Sequence, residues 1–431
     1  MDKETALTAR AIAAEILDAV LSRRQSLDIE LATHTGIRQL DRRDRAFLRN
    51  LLATTLRRLG QIDALINHCL KRPLPKNAGA VRQILRLGVC QMFFLEVADH
   101  AAVSTAVELV RSGGHTAHVK LVNAVLRRLG REGVNLMAAQ DAAHMNTPGW
   151  LWESWGEAFG SETGRRIAEA HLHEAPLDIS VCSRPDHWAA ELDATILPSG
   201  TLRRLSGGIV SSLPGYAEGT WWVQDTAARM VAALLGDVRG KRVVDLCAAP
   251  GGKTAFLAAE GALVTAVDRS DKRLDRLREN LQRLNLDAEV ITADATLWRP
   301  SELVDAVLVD APCSATGTIR RHPDIPWNKS QKDVDALAKT QTRLLAAAAE
   351  MLKPGGTLVY ATCSLQKEEG DMQIEKFLSA TDRFVHERLQ PQDVFHMDAV
   401  IDSAGMFRSL PHHLPQAGGI DGFFAARLRC R

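Results

Sequence analysis

Arg242–Val–Val–Asp–Leu–Cys–Ala–Ala–Pro–Gly–Gly–Lys–Thr254 is the stretch on which the fold turns. A β-branched apolar run ends at Asp245 and gives way to a turn of small residues, Ala248 to Gly252, with a helix expected from Lys253–Thr254. Strand, tight turn and helix in that order are the grammar of a nucleotide-type site in a parallel α/β sheet. Glycines let the backbone approach a ligand closely, and a helix start presents unpaired N–H groups to its polar parts.

Downstream, strands and helices alternate. The pattern predicts strands at Arg242–Leu246, Leu263–Val267, Glu289–Thr292, Ala306–Val309 and Thr357–Ala361, with a final antiparallel strand in Asp421–Leu428. Leu274, Leu277, Leu281 and Leu284 mark one face of an amphipathic helix, and a long helix over 334–352 is expected to stop at Lys353–Pro–Gly–Gly356. Residues 223–431 are therefore read as a Rossmann-like α/β domain, a parallel sheet with helices on both faces.

Upstream, the texture is different. Residues 1–145 carry helical stripes, among them Ile12, Ile16, Leu17, Val20 and Leu21, then Leu48, Leu51, Leu52 and Leu56. Asp41 is placed to cap the second of these helices. An all-α bundle is expected. Residues 146–222 begin with Pro148, Trp150, Trp152 and Trp155, continue through a helix near Ser161–His173, and carry β-like pieces at Leu177–Cys182, Gly208–Val210 and Trp221–Val223. They read as a small α/β bridging subdomain, so the chain is multidomain.

The near-zero net charge of +1 hides an asymmetry: residues 1–140 carry 21 Lys/Arg against 13 Asp/Glu, and the remainder 32 against 39. A basic bundle on a mildly acidic body points to a polyanion, and Arg42, Arg43, Arg45, Arg49, Arg57 and Arg58 are its candidate contacts. The bland alternative is an Arg-rich helical bundle. Seven cysteines, an odd number without disulfide or metal-ligand spacing, read as free thiols in a reducing compartment, and no metal is expected. No apolar run is long enough to span a bilayer and the acidic first twenty residues are no signal peptide, so a cytoplasmic protein and no membrane partner are expected.

Two ligands compete for the turn. A phosphate loop needs G-x-x-x-x-G-K-[ST]; Gly252, Lys253 and Thr254 satisfy its end, and Ala306–Asp310 imitates the strand and acid that hold magnesium. Cys247, however, replaces the first glycine, and Pro250 removes one backbone N–H from the loop that should donate to phosphate. The other ligand is an adenosine without phosphates. Asp268 ends the second strand, where an acid accepts ribose hydroxyls, and Asp294 after the third strand is placed towards the adenine. A ribose without phosphate points to S-adenosylmethionine. The missing G-x-G-x-x-G disfavours a nicotinamide cofactor.

Two further strands end in cysteine turns, Val309–Asp–Ala–Pro–Cys313–Ser314 and Tyr360–Ala–Thr–Cys363–Ser364. A lone cysteine is more often a small buried hydrophobe than a nucleophile. A pair in equivalent turns suits methyl transfer to a pyrimidine carbon, where a thiolate adds at C6 so that C5 becomes nucleophilic. Spacing alone does not say which cysteine attacks.

These motifs, Asp245–Leu–Cys–Ala–Ala–Pro–Gly–Gly–Lys–Thr254, Asp310–Ala–Pro–Cys–Ser314 with Arg320–Arg–His–Pro–Asp324, and Ala361–Thr–Cys–Ser364, resemble those of RNA cytosine-5 methyltransferases. The helical stripes resemble the bundle of NusB-type antitermination factors, which bind RNA. With the Asp421–Gly–Phe–Phe424 tail, the chain resembles the bacterial 16S ribosomal RNA (cytosine-5) methyltransferase B family along nearly its whole length. The resemblance implies a NusB-like RNA-binding domain over 1–145 and 16S rRNA as substrate. It implies Cys363 as nucleophile, Cys313 assisting proton removal or product release, and Lys253 and Asp310 in the catalytic set. It also implies that Cys247, Ala248, Ala249, Pro250, Gly251, Gly252, Lys253, Asp268, Asp294 and Asp310 hold S-adenosylmethionine. A monomer is expected. Arg320 and Arg321 are expected either to hold the RNA backbone or to lie in a surface loop.

Overall fold

The computed structural model describes residues 3–205 and 208–431. The chain divides into two units, one reaching to His173 and taking in Ile319–Ser330, the other made of Glu174–Thr318 and Gln331–Arg431.

The first unit is helical: α1 (Lys3–Arg23), α2 (Leu27–Thr33), α3 (Arg42–Arg57), α4 (Leu59–Cys69), α5 (Gly79–Phe94), α6 (Asp99–Ser112), α7 (Val119–Ala138), α8 (Ala142–Met145), α9 (Gly149–Phe159) and α10 (Ser161–His171). The stripes read from the sequence form one core, with Ile16, Leu17, Val20, Leu48, Leu51, Leu52, Leu56 and Leu129 fully buried. Each such side chain contributes about 1.5–3 kcal/mol by leaving water, and this burial, more than helix propensity, holds the bundle. Asp41 caps α3 as expected, accepting from Asp44 N at 2.7 Å. The helices of 146–173 belong here: Asn146 accepts from Gln61 N (3.1 Å) and donates to Gln61 Oε1 (2.9 Å).

The second unit opens with a four-stranded antiparallel sheet in the order β2-β3-β1-β4: β1 (Leu177–Val181), β2 (Thr195–Ile196), β3 (Leu202–Arg204) and β4 (Trp221–Val223), with α11 (Pro185–Glu191) after β1. Its buried Asp178 takes a bidentate pair from Arg203, at 2.7 and 2.6 Å, and accepts from Thr226 N at 3.0 Å. The 146–222 segment is thus split, its helices in one unit and its sheet in the other. Gly208–Val210 is not a strand. Gly208 and Ile209 are irregular, and Val210 starts a single 3₁₀ turn to Ser212, because no neighbouring strand is there to pair with.

Next come α12 (Thr226–Ala233), β5 (Arg242–Leu246), α13 (Gly252–Ala259), β6 (Leu263–Asp268), α14 (Asp271–Leu284), β7 (Glu289–Thr292) and β8 (Val304–Asp310). The short helix α15 (Ile325–Asn328) lies in the 319–330 insertion, which packs in the helical unit. Trp327 Nε1 donates to Leu56 O (2.9 Å), and Asp324 Oδ2 accepts from Leu27 N (3.2 Å). The chain closes with α16 (Gln331–Ala349), β9 (Leu352–Thr362), α17 (Asp371–Ala380), β10 (Phe384–His386), β11 (Phe407–Ser409) and β12 (Phe423–Cys430).

The eight-stranded sheet runs β10-β12-β9-β8-β5-β6-β7, with β11 on β12. β5 to β9 are parallel, and β12 lies antiparallel on β9. Both faces are covered: Val243, Leu308 and Val359 pack with α12 and α13, and Val244, Val307 and Leu358 pack under α16. Two-sided burial explains why these strands read as continuous apolar runs. The expected helix stop at Lys353–Pro–Gly–Gly356 is instead a bulge within β9. Leu352 already pairs with Val304, and the ladder resumes at Thr357 against Ala306. The long helix has ended by Ala349.

A candidate methyl-transfer site at the strand ends

Strand order reverses at β5, and the carboxyl ends on either side of such a point are where open α/β sheets build their sites. The loop after β5 turns sharply. Cys247 has φ +61° and Gly251 φ +100°, both left-handed, and a Cβ on Gly251 would lie 2.7 Å from Leu277 Cγ. A cysteine held left-handed is a local strain of the kind that clusters at functional sites. The loop's amides are spent internally. Ala248 N donates to Val267 O (3.1 Å), Ala249 N to Asp268 Oδ2 (3.3 Å) and Gly251 N to Ala248 O (2.9 Å), while Pro250 has none to give. Four successive residues therefore offer no amide to a phosphate, and the phosphate-loop reading fails on geometry as well as on sequence.

Behind the loop Asp245 is fully buried. Its Oδ2 accepts from Thr254 Oγ1 at 2.6 Å and its Oδ1 has no protein partner. Burial pushes its carboxyl up to about 7, opposed by the Thr254 hydrogen bond. Burial, with the nearby carboxylates of Asp268, Asp310 and Asp245, pushes the Cys247 thiol up to about 12, which makes it a wall rather than a nucleophile.

Cys247, Asp268, Asp294 and Pro312 line one cleft, together with Arg269, Arg273, Thr340, Arg343 and Leu344. Asp268, at the tip of β6, is 2 % exposed and also accepts from Ser270 N at 2.9 Å. It caps its own turn and also lines the cleft. Asp294 is exposed. Its Oδ1 accepts from Thr296 N (2.8 Å) and Oγ1 (2.7 Å), and these bonds hold its carboxyl below the usual range. Asp268 and Asp294 can accept ribose hydroxyls, and the apolar wall of Cys247, Pro312 and Leu344 suits an adenosine and a sulfur centre.

On the other side of the loop, Lys253 Nζ and Asp310 Oδ2 are 2.7 Å apart at the ends of β5 and β8. Burial opposes the Lys253 charge, but Asp310 outweighs it, and the ammonium stays above its ordinary range with Cys363 also in its field. Phe423, from the tail motif, lies under the ammonium, its ring centre 5.1 Å away.

The two cysteine turns meet. Cys313 Sγ and Cys363 Sγ are 3.4 Å apart, and Gly317 N donates to Cys363 O at 3.0 Å. Gly317 also packs against the tail, where Gly422 N donates to its carbonyl at 2.8 Å, and a Cβ on Gly317 would come within 2.0 Å of Gly422 O. The hydrogen bond to Cys363, burial, and the charges of Cys363 and Glu369 hold the Cys313 thiol well above its usual range.

Arg320 belongs to the helical unit and is 1 % exposed there, with Arg57 Nη2 donating to its carbonyl at 3.0 Å, so it does not lie in the expected surface loop. Arg58 is likewise engaged, donating to Leu172 O at 3.1 Å, whereas Arg42, Arg43, Arg45 and Arg49 are exposed. No sequence signal points to Glu369. It sits in Lys367–Glu–Glu–Gly–Asp371, which reads as a solvated charge run, yet it is fully buried.

Comparison with known proteins agrees with this geometry. Residues 232–429 match the family model described as 16S rRNA methyltransferase RsmB/F, and residues 7–131 match the NusB family. The chain is similar to ribosomal RNA small subunit methyltransferase B of Shewanella oneidensis, 35% identical with 97% of this chain and 98% of the relative covered. To that of Klebsiella pneumoniae it is 36% identical, with 97% of each covered. In fold it is similar to the crystal structure of PH0851, with a TM-score of 0.75 at 23% identity over 97% of this chain and 98% of that one. It is also similar to NSun6 from Pyrococcus horikoshii with SFG, with a TM-score of 0.55 at 20% identity over 66% of this chain and 98% of that one. Among the described residues no helix is long and apolar enough to cross a membrane. The chain belongs to the ribosomal RNA small subunit methyltransferase B family and is an S-adenosylmethionine-dependent 16S rRNA methyltransferase with a NusB-like helical domain and a Rossmann-like catalytic domain.

Proposed function

We propose that the protein methylates C5 of a cytosine in 16S rRNA through a covalent bond between Cys363 and C6 of the base. The observation that carries the reading is the 3.4 Å approach of the two sulfurs, each in the turn that follows one of the adjacent strands β8 and β9. C5 of cytosine is too poor a nucleophile to take a methyl group unaided. S-adenosylmethionine, held by Cys247–Lys253, Asp268, Asp294 and Asp310, supplies the electrophilic methyl.

The chain's own residues do the rest. Cys363 adds to C6 as a thiolate, the nucleophilic form of the side chain. The electron pair displaced from the C5–C6 bond is held by the base, with Asp310 beside N3 and Lys253 fixing the carboxylate. After methylation, the C5 proton passes to Cys313 as Cys313 gives its own proton to the Cys363 sulfur; the C5–H electron pair restores the C5–C6 double bond, and the C6–S bond breaks with its pair on Cys363. A base must leave its stack to reach these sulfurs, which favours an unpaired loop nucleotide. Exposed Arg42, Arg43, Arg45 and Arg49 on α3 are the bundle's contacts to the phosphate backbone.

The test of the product is to treat unmodified 16S rRNA with the purified protein and map the methyl group by nucleoside mass spectrometry. The reading expects 5-methylcytidine at one position. Methylation at N4 or on a ribose hydroxyl would end it, because neither needs a thiolate.

A further inference from the structure

Beneath the two cysteine turns lies a buried acid that the reaction scheme does not use. Glu369, in the turn before α17, is fully buried and receives donors from two other elements. Ser314 N lies 2.9 and 3.2 Å from its two oxygens, Ser314 Oγ also donates to it, and Gln341 Nε2 of α16 donates at 3.1 Å. Ser314 Oγ meets Ser364 Oγ at 3.1 Å, so this cluster joins the residue after Cys313 to the residue after Cys363. Ser314 N, Ser314 Oγ and Gln341 Nε2, which also donates to Pro312 O at 2.9 Å, converge on the Glu369 oxygens; burial pushes its carboxyl up, and these donors oppose the rise by favouring the ionised, acceptor-only form.

The surroundings of the two sulfurs are therefore of opposite sign. Cys313 lies 3.4 Å from the Cys363 sulfur and one residue from Ser314, whose amide and hydroxyl both bind the Glu369 carboxylate. Cys363 faces the Lys253 ammonium, itself paired with Asp310. Ser314 N–H, the amide nearest to Cys313 in the chain, is aimed at Glu369.

We propose that Glu369 is a positioning residue that assigns the roles of the two cysteines: its buried charge keeps Cys313 a thiol that donates to Cys363, and leaves Cys363 as the nucleophile. This rests on the cysteine chemistry proposed above, but its test needs neither RNA nor methyl donor. A fall of the cytosine-5 reading is seen in the product, and a fall of this one in thiol reactivity.

The experiment is iodoacetamide alkylation of the full-length protein, with the rates at Cys313 and Cys363 read separately by peptide mass spectrometry. In the wild type, Cys363 should react ahead of Cys313 at every pH between about 7 and 9, and the reverse order would overturn the proposal. Glu369→Gln keeps the shape and removes the charge. It should raise the Cys313 rate about tenfold, the change that one pKa unit gives, and move Cys363 less than about twofold. An unchanged ratio would overturn the proposal. Ser314→Ala, which removes a hydroxyl and no charge, should leave the ratio near that of the wild type. An equal rise there would mean that lost packing, not lost charge, exposes Cys313, and would also overturn it. The wild-type order of reaction decides even if Glu369→Gln does not fold.

Discussion

Lys253 and Asp310 stand 2.7 Å apart, one at the start of α13 and the other at the end of β8, which joins the loop after β5 to the strand carrying the Cys313 turn. Replacing Lys253 by Met keeps most of the volume and leaves Asp310 without its cation. A charge preorganised beside a developing anion is worth about two to three orders of magnitude in rate. Single-turnover methylation by Lys253→Met should therefore fall about 100-fold. A loss of less than about threefold would remove Lys253 from the chemistry.

The exposed arginines of α3 give a salt-dependent prediction. Changing Arg42, Arg43, Arg45 and Arg49 to Ala removes exposed charge and leaves the buried stripe of Leu48, Leu51, Leu52 and Leu56 intact. Each lost phosphate contact lowers the slope of log affinity against log salt by about 0.7 to 0.9. The fourfold variant should bind 16S rRNA more weakly with a slope shallower by about 3 to 4. Equal slopes for wild type and variant would mean that this face does not meet RNA.

His171 makes the helical unit acid-sensitive. Burial, reinforced by Arg320 and Arg57, lowers its pKa from 6.5 to about 3, so it is neutral in the folded unit. Below about pH 6.5 the unfolded chain takes up a proton that the folded one refuses, and stability falls as the pH drops towards 3. At pH 4 the penalty amounts to roughly 2 to 4 kcal/mol. His171→Phe keeps the ring contact with Trp155, now at 5.2 Å, and removes the titration. Melting curves between pH 7 and about pH 4 should fall less steeply for the variant than for the wild type. Parallel curves would show that His171 is not the group responsible.

Much of the catalytic unit was legible in the sequence, because two-sided burial turns its strands into apolar runs with sharp ends. β5, β7 and β4 begin and end where the residue pattern places them. The errors came where tertiary pairing overrides local signals. Lys353–Pro–Gly–Gly356 has the composition of a stop, but Leu352 already has a partner in Val304, so the turn survives only as a bulge. Ile209 and Val210 have strand-forming side chains and no strand to join. Cys247, Asp268, Asp294, Asp310, Cys313 and Cys363 were readable as candidates because each closes a strand or follows one, and the structure places all six at strand ends. Glu369 and Arg320 were missed for the opposite reason. Charged residues in polar runs read as surface, and only the fold reveals that one is buried under the cysteine turns and the other in the helical unit.

The division of labour between the two sulfurs 3.4 Å apart is the centre of the account, and one measurement tests it most directly. Wild type, Cys363→Ala and Cys313→Ala are each incubated with 16S rRNA and S-adenosylmethionine, and the covalent protein–RNA complex is counted after denaturation. Cys363→Ala should form no complex and no methylated product, and Cys313→Ala should accumulate a methylated complex that is not released. A stable complex in Cys363→Ala, with none in Cys313→Ala, would contradict the account by reversing the roles of the two cysteines.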